Sequence, residues 1–243
     1  MIDHTVKSFD EQLQVLSTLV AQMGGMTEAQ LASAIEAIAR RDSASAESAV
    51  AGDGRIDALQ VEIEDWAVKL LALRQPMAVD LRNTLAAIKI ASELERIGDL
   101  AKNIAKRALV LNREPPIRLA QSLARMGKAA QGQLKQVLDS FFNRNADYAE
   151  DVWRRDGEID EMYNSLFREL LTYMMEDPRT IGLCTHLLFV AKNIERSGDH
   201  CTNIAEVVYH MVKAGHLSAA RPKADTTSET PIFHNDKHYE THA

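Results

Sequence analysis

The sequence predicts an all-α protein: six long helices forming two tandem three-helix bundles related by internal duplication. Three observations carry this. Pro76, Pro115-Pro116, Pro178 and the pair Pro222 and Pro231 divide the 243 residues into long proline-free pieces. Within those pieces apolar residues recur in steps of three and four, the period of a helix with one buried stripe, and never alternate with polar ones as in a strand. The third observation is a repeat at a fixed offset, described below.

The period places helices at roughly 5–40, 43–74, 78–111, 117–143, 146–175 and 178–214. In the first, Leu13, Leu16, Val20 and Met23 lead into Leu31, Ile35 and Ile38. Gly24-Gly25 lies inside it and costs about 1 kcal/mol per glycine relative to Ala, which predicts a kink or a close helix contact. Ile56, Leu59, Ile63, Trp66, Leu70 and Leu73 mark the second helix, and Ile90, Leu94, Ile97, Ala101, Ile104, Ala108 and Leu111 the third. Helices this long, joined by short turns, pack as antiparallel bundles. The predicted units are 1–113 and 114–215, followed at 216–243 by a polar, disordered tail with two prolines and no apolar period. His234, His238 and His242 in that tail read as solvated.

Composition removes several classes of function. With 28 Lys and Arg against 35 Asp and Glu the net charge is -7, which disfavours nucleic acid as a partner. No apolar run reaches the ~20 residues needed to span a bilayer, and the first residues do not form a signal peptide, so a cytoplasmic location without membrane insertion is expected. Cys184 and Cys201 are the only cysteines and read as small buried residues. Gly127-Lys128 is preceded by Ser122 where a phosphate loop needs glycine, and no metalloprotease, nucleophile-elbow or kinase signature appears. No enzyme is expected.

Shifting the chain by 100 places aligns Ala91–Ala105 with Ala191–Ala205, with eight of fifteen positions identical: Ala91, Glu95, Arg96, Gly98, Asp99, Asn103, Ile104 and Ala105. A shift of 103 aligns Asp53-Gly54-Arg55-Ile56-Asp57 with Asp156-Gly157-Glu158-Ile159-Asp160. The shared residues are not the ones a core requires. Glu95, Asp99 and Asn103 are four apart and lie within about 80° on one helix face, opposite the apolar stripe. Glu195, Asp199 and Asn203 repeat the arrangement, and Asp53/Asp57 and Asp156/Asp160 are further acidic pairs placed away from their stripes. Like charges at this spacing cost a few tenths of a kcal/mol, and mid-helix Gly98 and Gly198 about 1 kcal/mol each.

Two readings stand. A solvated acidic face, partly neutralised by Arg96 and Arg196, explains the acids but not why both copies keep such costly residues. A cation bridging carboxylates from adjacent helices, with Asn103 or Asn203 adding a neutral oxygen, explains both. The glycines then leave room for a close neighbour or ligand. Oxygen ligands select hard cations such as Mg, Mn or Fe. His200, beside Asp199, reads as a surface histidine because its counterpart is Leu100.

These motifs resemble the PhoU family of bacterial phosphate-transport accessory proteins over nearly all of the predicted helices. The match rests on Glu95-Arg96-Ile97-Gly98-Asp99 with Asn103, and Glu195-Arg196-Ser197-Gly198-Asp199 with Asn203-Ile204. Arg74-Gln75-Pro76, Asp80-Leu81-Arg82, Met23-Gly24-Gly25-Met26 and Tyr173-Met174-Met175-Glu176-Asp177 add to it. Two departures are a serine, Ser197, where the first copy has Ile97, and an Asp rather than a Glu before Gly54 and Gly157.

The resemblance implies two side-by-side three-helix bundles, commonly dimeric. It also implies surface metal ions, divalent or trivalent (Mg, Mn or Fe, with Zn as a further option), held by Asp53/Asp57, Glu95/Asp99, Asp156/Asp160 and Glu195/Asp199. The implied function is a regulatory adaptor linking the phosphate ABC transporter ATPase to a membrane sensor histidine kinase and repressing phosphate-starvation signalling. The alternatives are a metal-storage bundle and a helical scaffold without a signalling role. The first is disfavoured because such cores use Glu-x-x-His pairs, absent here.

Overall fold

The computed structural model describes residues 2–74, 77–115, 119–217 and 221–227, with side chains from Glu11 onward and excluding that of Arg74. Gln75, Pro76 and the tail histidines lie outside the described residues. Seven α-helices follow one another: α1 (Ile2–Arg40), α2 (Ser43–Arg74), α3 (Val79–Leu111), α4 (Ala120–Phe142), α5 (Ala146–Arg154), α6 (Asp156–Glu176) and α7 (Ile181–Lys213), with a single 3-10 turn at Pro178–Thr180. No strand occurs among the described residues. The helix expected over 146–175 is interrupted at Arg155, whose carbonyl accepts a hydrogen bond from Gln133 Nε2 at 3.2 Å. The other five helices follow the predicted period closely.

The duplication extends to the turns. Arg41 and Arg144, 103 residues apart, end α1 and α4 in the left-handed region with φ 58 and 49. The next residue caps the following helix in both copies. Asp42 Oδ1 accepts from the Ala44 and Ser45 amides, and Asn145 Oδ1 from those of Asp147 and Tyr148. Each cap satisfies amide groups that the first turn of a helix leaves unpaired.

α1, α2 and α3 form one bundle, and α4, α5–α6 and α7 the other. They meet where α1 packs on α4 and α3 on α7, so that one continuous apolar core runs through both. Ile90, Leu94, Ile97 and Ile104 on α3, and Val190, Ile194, Cys201 and Ile204 on α7, are fully buried in it. Cys184 and Cys201 are both free thiols and buried, as expected. Trp66 is half-buried against the core, whereas Trp153 is buried and donates its indole N–H to Glu206 at 3.0 Å.

The α1–α4 seam explains Gly24, whereas a Cβ on its neighbour Gly25 would meet nothing within 4 Å. A Cβ on Gly24 would stand 2.8 Å from a methyl of Leu138, and one on Gly127 would stand 2.5 Å from the Cδ1 and 2.7 Å from the Cγ2 of Ile35. Gly24 and Gly127 are 103 apart, as are Ile35 and Leu138, so a single glycine–aliphatic contact is used twice. The close contact expected at Gly24 is therefore present. Gly127→Ala is expected to lower the stability by about 1–3 kcal/mol through overpacking. Gly132→Ala on the same helix, with nothing within 4 Å of the new methyl, should raise it by up to about 1 kcal/mol. Thermal melts of the two variants check the opposite signs.

Candidate functional site: two acidic seams

α2 meets α3, and α6 meets α7, along seams that carry all eight predicted acids. Gly98 and Gly198 make each seam close. A Cβ on Gly98 would lie 3.3 Å from Ile56 Cδ1 and 3.1 Å from Gln30 Oε1; on Gly198 it would lie 2.9 Å from Ile159 Cδ1 and 3.3 Å from Gln133 Oε1. The room left by the glycines is filled by this isoleucine and glutamine. Both glutamines are buried, and neither Oε1 has a hydrogen-bond partner among the described residues. Gln30 and Gln133 escaped the sequence reading, although they too stand 103 apart.

The acids are less outward than their helical positions predicted. Asp53, Asp156, Asp160 and Glu195 are 4–6% exposed; Glu95, Asp99 and Asp199 are half-buried, and only Asp57 is open to solvent. Helical phase placed them off the apolar stripe, but the tight approach at the glycines closes the neighbouring helix over them. Asn103 is exposed on α3. Asn203 instead turns to the α3–α7 contact, where it donates to Glu93 at 3.0 Å beside His200, whose Nδ1 is 2.7 Å from the same carboxylate oxygen. His200 is thus a half-buried cross-bundle contact rather than a surface residue.

In the first repeat Lys102 Nζ lies between the two helices, bonded to Asp53 Oδ2 and to Asp99 Oδ1. Those two hydrogen bonds push the Lys102 ammonium well above the ordinary lysine range. Asp57 and Glu95 are left short of positive charge. Burial, then the charge of Asp53, raises the Asp57 carboxyl above its ordinary value, and burial with the charge of Asp99 raises that of Glu95.

The second repeat has Thr202 in place of Lys102, and its hydroxyl donates to Asp156 Oδ1 at 2.7 Å. The cation comes from Arg221, beyond the last helix. Its Nε and Nη2 grip the Asp156 carboxylate at 2.6 and 2.9 Å, Nη2 also reaches Asp199 Oδ1 at 2.5 Å, and Nη1 reaches Asn203 Oδ1 at 3.1 Å. Arg221–Thr227, within the stretch expected to be a polar tail, pack on this seam. Ion pairing and hydrogen bonds with the body hold this mostly polar segment. Asp160 accepts the amides of Ala224 and Asp225 at 2.8 and 3.1 Å, yet its burial still raises its pKa. Lys192 bonds both Glu195 and Asp225; burial opposes its charge, but these bonds push it up to about 12. Burial raises the Glu195 carboxyl, and its Oε2 has no hydrogen-bond partner among the described residues.

As arranged, no group of three or more His, Cys, Asp or Glu among the described residues is set to hold a metal ion. The donor chemistry nevertheless fits a hard cation at the first seam. Its carboxylates are oxygen donors of the kind that hold such a cation; Lys102 bonds two of them, Asp53 and Asp99, and an exposed Arg96 lies 3.5 Å from Glu95. At the second seam Arg221 fills the corresponding place.

With metal chelated, Asp57→Asn should stabilise the protein at neutral pH. A carboxyl whose pKa is raised on folding opposes folding once it is ionised, and this penalty disappears below its unfolded value of 3.8. The melting advantage of Asp57→Asn is therefore expected to be largest at pH 7 and to shrink as the pH falls toward 4. Melting curves across that range in EDTA test it.

No described helix is long and apolar enough to cross a membrane. The PhoU domain family profile matches residues 20–108 and 123–208, one match per repeat. A phosphate-specific transport system accessory protein PhoU homolog of Caulobacter vibrioides is 56% identical over 230 residues, covering 94% of this chain and all of that one. The corresponding protein of Rhizobium meliloti is 47% identical, covering 93% and 95%. The crystal structure of PhoU from Pseudomonas aeruginosa superposes with a TM-score of 0.83 at 36% identity, over 85% of this chain and all of that one. PhoU from Streptococcus pneumoniae, a phosphate transport system regulatory protein, gives 0.79 at 29%, over 87% of this chain. With two matched domains, full-length relatives and the same two-bundle architecture, this chain belongs to the PhoU family.

Proposed function

We propose that this protein is a regulatory adaptor of phosphate transport. It restrains uptake and represses phosphate-starvation signalling by linking the phosphate ABC transporter ATPase to a membrane sensor histidine kinase in the cytoplasm. The observation that carries the reading is end-to-end similarity to relatives named as phosphate-specific transport system accessory proteins. The buried acids are paired with lysine, arginine, threonine and backbone amides, and no nucleophile–base pair is among those contacts. Rigid helices presenting an acidic face suit protein contact.

In this reading a hard divalent or trivalent cation binds the first seam through Asp53, Asp57, Glu95 and Asp99, with Asn103 at its rim. Asp156, Asp160, Glu195, Asp199 and Asn203 would supply the second when Arg221 leaves its place there. The bound cation would neutralise charge and fix the relative position of the two helices of a seam. The protein acts as a homodimer.

A strain lacking the gene should show high alkaline phosphatase reporter activity in ample phosphate, and the wild-type gene should return it to the low level. An Asp99→Ala/Asp199→Ala protein, expressed at wild-type abundance, is expected to leave it high. Low activity in the deletion strain would refute the adaptor reading. Full repression by the double variant would instead show the acidic seams to be dispensable for it.

A further inference from the structure

Residues 221–227 lie on the α6–α7 seam in the manner of a bound peptide. Asn164 Nδ2 donates to the Ala224 carbonyl at 2.6 Å and Asn164 Oδ1 accepts the Thr226 amide at 3.3 Å, so one side-chain amide reads both polar groups of the segment's backbone. Asp160 Oδ2 takes the Ala224 and Asp225 amides. Gly157 lets the chain come close: a Cβ there would stand 3.2 Å from the Pro222 carbonyl oxygen. Other contacts read side chains. The Asp156–Asp199 pair receives an arginine, and Lys192 receives the Asp225 carboxylate. Asn203 Oδ1 also accepts from Arg221, and Lys223 lies 3.7 Å from Asp199.

The first repeat has Asp57 and Gly54 as the counterparts of Asp160 and Gly157 but does not present the same seat. Val61 stands where the second repeat has Asn164, Lys102 fills the place that Thr202 leaves for an arginine, and Gly54 faces open space. A duplicated scaffold has therefore acquired backbone-reading groups and an open acid pair on one side only.

We propose that the α6–α7 face is a docking site for an extended, arginine-bearing segment of a partner protein, and that the chain's own residues 221–227 occupy it in cis until displaced. Recognition combines backbone contacts with the grip on one arginine, so the partner needs an extended strand with an arginine three or four residues before the amides that Asp160 accepts. The tether from α7 is short, which gives the internal segment a millimolar effective concentration and makes it a competitor for the site.

Amide hydrogen exchange on the full-length chain tests the seat. The Ala224, Asp225 and Thr226 amides should exchange at least about tenfold more slowly than in a free peptide of residues 219–228, and both Arg221→Ala and Asn164→Ala should remove that protection while leaving the α7 amides unchanged. Anisotropy tests the docking. A labelled peptide of residues 219–228 should bind the full-length Arg221→Ala protein at least about tenfold more tightly than the wild type, whose site is filled, and a peptide with alanine for the arginine should bind at least about tenfold more weakly. Unprotected amides in the wild type, or protection that survives both substitutions, would overturn the proposal. So would failure of the Arg221→Ala protein to take up the arginine peptide.

Discussion

Carboxylates held almost out of water must be met by positive charge or by hydrogen-bond donors, because burying an unpaired charge costs several kcal/mol. Asp53, Asp156, Asp160 and Glu195 are in that position, and much else follows from how each is met. Gly98 and Gly198 bring the helices close enough to bury the acids; Gln30 and Gln133 pack at those contacts; and a cation closes each seam. The same constraint explains why a polar segment beyond α7 packs on the seam, since the cation paired with Asp156 among the described residues is Arg221.

The two repeats solve one problem in two ways. Lys102 closes the first seam from within its own helix, while the second leaves that task to a separate segment. A lysine on a rigid helix can only rotate aside, whereas a strap can leave. The second seam is thus the more readily changed of the two.

Much of this was visible in the residues. The apolar period and the proline positions locate the helices, and the offset alignment finds Gly98, Gly198 and the eight acids. The break at Arg155 was not visible: neither it nor its neighbours carry a helix-breaking signal that α2 lacks, since Gly54 in the same position leaves α2 intact. Gln30 and Gln133 could have been found by extending the alignment at 103 into the first helix of each bundle. Lys102 against Thr202 stands in the same alignment, and this difference decides where each seam finds its cation. The packing of Arg221–Thr227 was not legible because composition reports what a segment can bury, not which charges on the body await it.

A double-mutant cycle on Asp156 and Arg221 tests the central claim most directly. Unfolding free energies of Asp156→Asn, Arg221→Met and the double variant, in metal-free buffer, should give a coupling of at least about 1 kcal/mol, as expected for a buried, bidentate pair. The matching cycle on Asp53 and Arg221 should give none. A coupling near zero for Asp156 and Arg221 would mean that the second seam is not closed by this arginine and would contradict the account.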